Sequence, residues 1–254
     1  MFCPCNRVSS HYPLPRMSTP AFHITCTKNA LIAQDVYEMR FRKPTDFSYK
    51  AGQFVLFDVP LVENPEDIQT RAYSIASAPH EEDLLFIVKH IAGGRASRWV
   101  EESLSEGDTV RMQGPFGRFL LDDEEKSEFL FLCTSTGVAP FRSHVLEALH
   151  SGNTRPMDLV FGNRFAEDLF WMEEFEKLAS EHSSFSFHPV LSKPTGAWKG
   201  HKGHVQDIAL QIIKDLTKKH IYVCGSPAMT DELKDLCTRT WGIPKESLHV
   251  EGFI

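Results

Sequence analysis

The segment EFLFLCTSTGVAPFRSHVLEALH, residues 128–150, decides the fold. It opens on an apolar run, Glu128 to Cys133, of strand length and with almost no polar interruption, as a strand covered on both faces requires. Its second half sets Val138, Phe141, Val145 and Leu149 on one face of a helix. Pro140 falls in the first helical turn, where a missing N–H costs little. The residues between strand and helix, Thr134 to Gly137, are small, so the free amides at the helix start are open to an anion such as a pyrophosphate. This is not a Gly-x-Gly-x-x-Gly fingerprint, and taken alone it reads equally well as a tight packing turn.

Downstream the same unit recurs. Met157 to Phe161 precedes a helical pattern carrying Leu169, Met172, Phe175 and Leu178. Ser186 to Leu191 precedes one carrying Val205, Ile208, Ala209, Ile212, Ile213 and Leu216. Ile221 to Cys224 precedes one carrying Met229, Leu233 and Leu236, and Leu248 to Val250 is the last strand. Parallel strands need crossovers, so this alternation predicts an α/β domain with a five-stranded parallel sheet and helices on both faces. Upstream, from Phe22 to about Asp122, the texture is β. Short runs (Phe22 to Cys26, Val36 to Phe41, Phe54 to Val59, Ala72 to Ile75, Leu84 to Lys89, Thr109 to Met112) alternate with Gly, Pro and Asp turns, which predicts an antiparallel Greek-key β-barrel. The expected organisation is a flexible tail over 1–20, a barrel over 21–122 and the α/β domain over 123–254. The acidic run Asp122 to Glu125 marks the join and reads as a solvated turn.

The composition, 254 residues with 42% hydrophobic and 24% charged side chains, is that of a globular chain and excludes disorder and fibres. A net charge of −7 leaves no global basic field for nucleic acid or an anionic membrane. No apolar run approaches the roughly 18 residues of a membrane span. The first 34 residues contain Arg7, Arg16 and Lys28 and no acid, so the whole acid excess lies beyond them. The tail has no secretory h-region, lacks the amphipathic pattern of an organelle-targeting segment, and offers a second start at Met17. Six scattered cysteines without Cys-x2-Cys, zinc-ribbon or plant-type iron–sulfur spacing point to a reduced, cytoplasmic setting and to no metal site. Cys3 and Cys5 in a flexible tail make a poor ligand pair. A redox centre, if present, is therefore an organic cofactor or another protein.

Arg71-Ala72-Tyr73-Ser74 resembles the Arg-x-Tyr-Ser flavin motif of the ferredoxin–NADP reductase superfamily. Gly94-x-x-Ser97 and Gly114-Pro115-Phe116-Gly117-Arg118-Phe119 follow at the distances that family shows. Then come Thr136-Gly137-Val138-Ala139-Pro140-Phe141-Arg142-Ser143, Cys224-Gly225-Ser226-Pro227-Ala228-Met229 and the terminal Glu251-Gly252-Phe253. These motifs run in order over about residues 22–254, and the ordered set carries the resemblance more than any one of them. It implies FAD held mainly by the barrel and NAD(P)H by the α/β domain. Arg71 would pair with a flavin phosphate through its planar fork. Ala72 and Tyr73 would lie along the flavin, and Ser74 would hydrogen-bond near N5, the atom that accepts hydride. Val88 and His90 count among the flavin-binding residues, and Gly94, Arg95, Ala96 and Ser97 would hold the pyrophosphate. Thr136, Gly137, Pro140, Gly225 and Met229 would bind the nicotinamide dinucleotide. Cys224 would stand beside the reacting nicotinamide carbon at the carboxyl end of a strand, where open α/β sheets place ligands. Glu251 would orient the nicotinamide or relay protons, and Phe253 would cover the flavin until nicotinamide displaces it.

Each of these residues also has a plainer reading: Arg71 as a surface ion pair, Tyr73 as a barrel aromatic, Cys224 as a core thiol, Ser97 as an N-cap. Two departures from the family pattern stand out. Ser135 occupies a position that is often Gly, which would crowd the phosphate turn, and Ile254 follows the terminal aromatic. Arg164, Ser192 and Lys193, with Lys199 and Lys202, fall near the ends of the second and third α/β strands and favour NADP(H), with NAD(H) still open. Glu167 and Asp168 are placed to neutralise Arg164. The resemblance implies a monomeric reductase that passes hydride from NADPH to flavin and single electrons to a ferredoxin or flavodoxin. An NADH-dependent flavin reductase or oxygenase reductase component is the alternative. A binding protein without turnover is a third reading, against which Arg71, Tyr73, Ser74 and Cys224 argue together.

Overall fold

Two six-stranded sheets carry the chain. The structure is a computed structural model that describes residues 19–122 and 128–253; Cys3, Cys5, Met17, the acidic run from Asp123 to Glu125 and Ile254 lie outside the described residues. The first sheet comprises β1 (Ala21–Ala33), β2 (Val36–Arg42), β3 (Phe54–Leu61), β4 (Asn64–Ser74), β5 (Asp83–Lys89) and β6 (Thr109–Phe116). Its order is β4-β3-β6-β1-β2-β5, antiparallel throughout, and β6 returns between β1 and β3 in the Greek-key manner. Val55, Phe57 and Val59 of β3 alternate into the core, the period expected when one face is buried. The two edges meet beyond Ser74: Ala76 N–H donates to the Leu85 carbonyl (2.8 Å) and Leu85 N–H donates to Ser77 Oγ (3.1 Å). That contact rolls the sheet into a partly closed barrel around Met39, Phe41, Phe57, Phe86 and Trp99.

Two elements of this half differ from the sequence reading. β4 begins at Asn64 instead of Ala72, because residues 64–72 are exposed and held by backbone pairing to β3, which leaves no apolar period to read. Ser97, which reads as an N-cap in the sequence, instead lies within a short α1 (Arg95–Arg98) that runs into a wider π-type turn over Trp99–Ser103.

The second sheet comprises β7 (Glu128–Thr134), β8 (Met157–Asn163), β9 (Phe185–Leu191), β10 (His201–Lys202), β11 (Lys219–Gly225) and β12 (Leu248–Gly252). Its order is β10-β9-β8-β7-β11-β12, all parallel. The sixth strand, β10, escapes a periodicity argument because it has two residues. Along β7, Phe129, Phe131 and Cys133 face one layer while Leu130 and Leu132 face the other. The first layer contains residues of α2 (Ala139–His150) and α3 (Met172–Glu181); the second contains residues of α4 (Val205–Ile212) and α5 (Pro227–Asp235). The first layer also takes in Val36, Ala76, Leu85, Ile87 and Phe119 of the barrel half, so the two sheets share one core.

Polar groups buried in that shared core fix how the halves meet. Ser143 Oγ donates to the Ser77 carbonyl (2.6 Å), and Trp171 Nε1 donates to Glu38 Oε2 (3.0 Å). His144 Nε2 lies 2.8 Å from the Phe119 carbonyl oxygen, so it carries the hydrogen. His144 is fully buried, and burial lowers its pKa from 6.5 to about 4. The unfolded chain therefore takes up a proton between pH 6.5 and 4 that the folded chain refuses, and stability falls as pH drops through that window. The residue should contribute about 3 kcal/mol to that fall. Urea unfolding at stepped pH should show a flatter slope in His144→Gln than in the native chain; equal slopes would contradict the assignment.

Candidate active site at the junction of the two sheets

Ser74 ends β4 and is buried, and its Oγ donates to Glu251 Oε1 at 3.4 Å. Glu251 sits on the edge strand β12, in register with Cys224 on β11, which is in register with Cys133 on β7. The fold thus brings Ser74, Cys224 and Glu251 together from opposite sheets. Cys224 has no exposed surface, and its thiol pKa is raised well above the ordinary value by burial, then by Glu251 and Cys133. It is a neutral thiol at physiological pH and not a nucleophile of the thiolate kind. Burial also raises the Glu251 carboxyl, against the opposing hydrogen bond from Ser74, which suits it to hold or release a proton.

The turn Ser135–Val138 leads from β7 into α2 and closes on this group. A Cβ on Gly137 would stand 2.3 Å from the Cys224 carbonyl oxygen, so only glycine lets the turn approach β11 this closely. A Cβ on Gly225 would stand 2.7 Å from Thr134 Oγ1 and 3.2 Å from Met229 Sδ. Backbone of both strand ends, with Thr136 and Pro140, therefore forms a tight cradle. Ser135 sits at φ 49°, a left-handed backbone that costs an L-residue about 1 kcal/mol or more. Its departure from glycine is thus taken up as strain. Phe253 N–H donates to the Gly225 carbonyl (3.0 Å), holding the half-buried ring against the core that contains Cys224.

On the barrel side Arg71 and Ala72 are exposed. The Arg71 guanidinium donates to the Thr70 carbonyl (2.9 Å) and Gln69 Oε1 (2.6 Å), both neutral, and no carboxylate of the described residues pairs with it. The surface ion-pair reading fails, and the charge is available to a phosphate. Tyr73 is half-buried with its ring 5.6 Å from Phe57, and burial raises its phenol pKa. Gly94 caps α1, and Ser97 is no N-cap: it is buried one turn inside and its Oγ accepts from Ile91 N–H (2.8 Å). Arg95 is held by Asp67 of β4 (3.0 Å) and His90 by Glu101 (3.0 Å), partners the sequence did not suggest. Ala96 packs against the barrel core and Val88 lies inside it. Arg71 and Tyr73, two apart on β4, share one face of the strand, Ser74 points to the other face and meets Glu251, and Val88 and Ser97 are buried.

At the far end of the sheet, Ser192 N–H donates to the Asn163 carbonyl (3.0 Å) and Lys193 N–H to the Arg164 carbonyl (2.9 Å). These bonds bring the ends of β8 and β9 together and make Arg164 and Lys193 neighbours along the backbone. The expected neutralisation of Arg164 does not occur: Asp168 accepts from Phe165 N–H (3.0 Å) and lies 3.8 Å from Lys89, and Glu167 offers its carbonyl to Gln34 N–H. The sequence reading missed a cavity of about 300 Å³ beside Glu251, lined by Arg118, Phe119, His249, Val250 and Glu251. The signal was present, since His249 and Glu251 are two apart on β12 and share a face. Among the described residues no His, Cys, Asp and Glu cluster could hold a metal.

The residues present fit a flavin along the Arg71–Ser74 stretch of β4 and a dinucleotide over the Gly137 cradle. Gly137→Ala should unfold the cradle locally, lowering stability by about 1–3 kcal/mol and raising the dissociation constant for a nicotinamide nucleotide. Calorimetry and nucleotide titration check this; an unchanged melting point and affinity would show that the turn yields freely.

Comparison with known proteins agrees with the two-part fold. Residues 23–120 match the oxidoreductase FAD-binding domain and residues 131–235 the oxidoreductase NAD-binding domain. The chain is 32% identical to ferredoxin–NADP reductase B of Sorangium cellulosum over 82% of its own length and 86% of that protein's. It is 31% identical to the naphthalene 1,2-dioxygenase system ferredoxin–NAD(P)(+) reductase component of Pseudomonas putida, over 86% of its own length and 65% of that protein's. The chain thus spans just under two thirds of the second relative. The crystal structure of the cytochrome P450 reductase GcoB from Amycolatopsis superposes with a TM-score of 0.82 at 28% identity, covering 94% of this chain and 72% of that one. No helix among the described residues is long and apolar enough to cross a membrane. With both cofactor domains matched in order and a relative 32% identical over most of both chains, the chain belongs to the ferredoxin reductase-like family of FAD- and NAD(P)-binding oxidoreductases.

Proposed function

We propose that this protein is a ferredoxin/flavodoxin–NADP reductase, monomeric and cytoplasmic, with its FAD on the barrel half (21–122) and NADPH on the α/β half (123–254). The observation that carries the reading is the meeting of Ser74 with Glu251 and Cys224 across the two sheets. Bound flavin supplies the exchange between a two-electron hydride donor and a one-electron acceptor. The chain's own residues bind, orient and shield. Arg71 holds a phosphate, and Tyr73 and Phe253 bracket the space for a planar ring. Ser74 and Glu251 hold a proton at the edge of that ring, and the cavity lined by Arg118 and His249 opens beside the same carboxyl. Cys224 and the Gly137 cradle position the nicotinamide, and Arg164 with Lys193 favours a 2′-phosphate. Similarity over 86% of the length of a ferredoxin–NADP reductase supports the acceptor class.

The second reading is an NADH-dependent flavin reductase or the reductase component of an oxygenase, which the similarity to the naphthalene dioxygenase reductase component favours. Anaerobic reduction of the yellow holoprotein by NADPH and NADH in parallel separates the two. Flavin bleaching should be at least tenfold faster with NADPH at limiting concentration, and ferredoxin or flavodoxin should reoxidise it; a tenfold preference for NADH would transfer the assignment to the second reading. Arg71→Ala should weaken FAD binding by about tenfold to a hundredfold, as for loss of a charged hydrogen bond. Unchanged FAD content would remove Arg71 from the site.

A further inference from the structure

Arg142 lies in the motif that ends Phe141-Arg142-Ser143, yet neither cofactor accounts for it. It is on the second turn of α2, and only 4% of it is exposed. Its guanidinium is saturated from three directions. Nε donates to Glu174 Oε2 (2.9 Å) and Nη2 to Glu174 Oε1 (2.6 Å), a bidentate pair with α3. Nη1 donates to Glu81 Oε2 (2.8 Å) and Nη2 to Glu81 Oε1 (3.1 Å), a second bidentate pair with the loop before β5. Nη1 also donates to the Ala76 carbonyl (2.9 Å). The group lies 5.4 Å from the centre of the Trp171 ring, whose Nε1 is itself held by the buried Glu38.

Both ends of this contact reach the candidate active site. Ala76 is two residues beyond Ser74, and its N–H closes the barrel on Leu85. α2 starts at the turn whose Gly137 rests on the Cys224 carbonyl. One side chain therefore ties the segment that presents Ser74 to the helix that abuts Cys224. Glu81 is fixed in turn, accepting from Ala78 N–H (2.6 Å). Burial opposes charge on Arg142, but the bonds to Glu174 and Glu81 outweigh it and keep the guanidinium ionised.

We propose that Arg142 is a positioning residue that sets the distance between the flavin-side Ser74 and the nicotinamide-side Cys224 and Glu251. This rests on the assignment of those residues to hydride transfer. Reacting atoms must approach within about 3–3.5 Å, and a displacement of about 1 Å can cost on the order of 10²-fold in rate. A residue that only supported the fold would change stability and cofactor content, leaving the rate per bound flavin alone.

The test uses the holoprotein and the cofactor-free chain of Arg142→Gln and Arg142→Lys. In an anaerobic half-reaction, Arg142→Gln should lower the limiting rate of flavin reduction by about tenfold or more with the half-saturating nicotinamide concentration little changed. Arg142→Lys, which keeps the charge and loses the bidentate forks, should recover only part. A crystal structure of the cofactor-free Arg142→Gln chain should show Ser74 Oγ and Glu251 Oε1 drawn apart from their 3.4 Å. If Arg142→Gln does not fold, Glu174→Gln removes one fork alone and is expected to show the same loss, smaller in size. An unchanged limiting rate, or an unchanged Ser74–Glu251 separation, overturns the proposal. A native holoprotein that neither nicotinamide bleaches would instead overturn the proposed function.

Discussion

A buried guanidinium must be answered on every side, and the junction of the two sheets is organised around that requirement. Leaving either carboxylate out would leave part of the buried N–H fork without an acceptor, so the loop at Glu81 and helix α3 at Glu174 must both be in place for Arg142 to be fully satisfied. Such a pair adds little net stability compared with apolar packing, and its gain is geometric: few other arrangements of the two halves satisfy five N–H···O bonds at once. Ser143 and His144, the next two residues, extend the same seam to Ser77 and Phe119. Three successive residues of one helix thus specify the domain contact on which the candidate site depends.

The site itself follows from that contact. Ser74 and Glu251 are 177 residues apart and touch only because the barrel edge after β4 is pressed against the carboxyl edge of the parallel sheet. The environment then sets their chemistry. Burial leaves Glu251 readier to carry a proton and Cys224 a neutral thiol, while Arg71, out in solvent with neutral partners, keeps its charge for an anion. The net charge of −7 gave no hint of this division, because the basic groups that matter are few and local.

Periodicity was enough to expose β7, α2 and the alternation after them, since those strands are buried on both faces and their helices on one. It missed the outer part of β4, an exposed edge strand, and β10, which is too short to have a period. For the site, the motif residues on β4, on the Gly137 turn and at Glu251 could be read one by one, but not the partners that define their state. Nothing local in the sequence ties Arg95 to Asp67, His90 to Glu101, or Arg142 to Glu81, because each pair is made by tertiary packing. Asp168 shows the converse: its sequence neighbour Arg164 suggested an ion pair, and the backbone N–H of Phe165 takes the carboxylate instead.

In the proposed function the hydride-transfer site is assembled between Ser74 on one sheet and Cys224 with Glu251 on the other. A crystal structure of the protein with FAD bound tests it most directly. The flavin ring should lie against Tyr73, with its reactive edge within hydrogen-bond distance of Ser74 Oγ and its phosphate on Arg71. A flavin bound with its ring away from both Ser74 and Glu251 would contradict it.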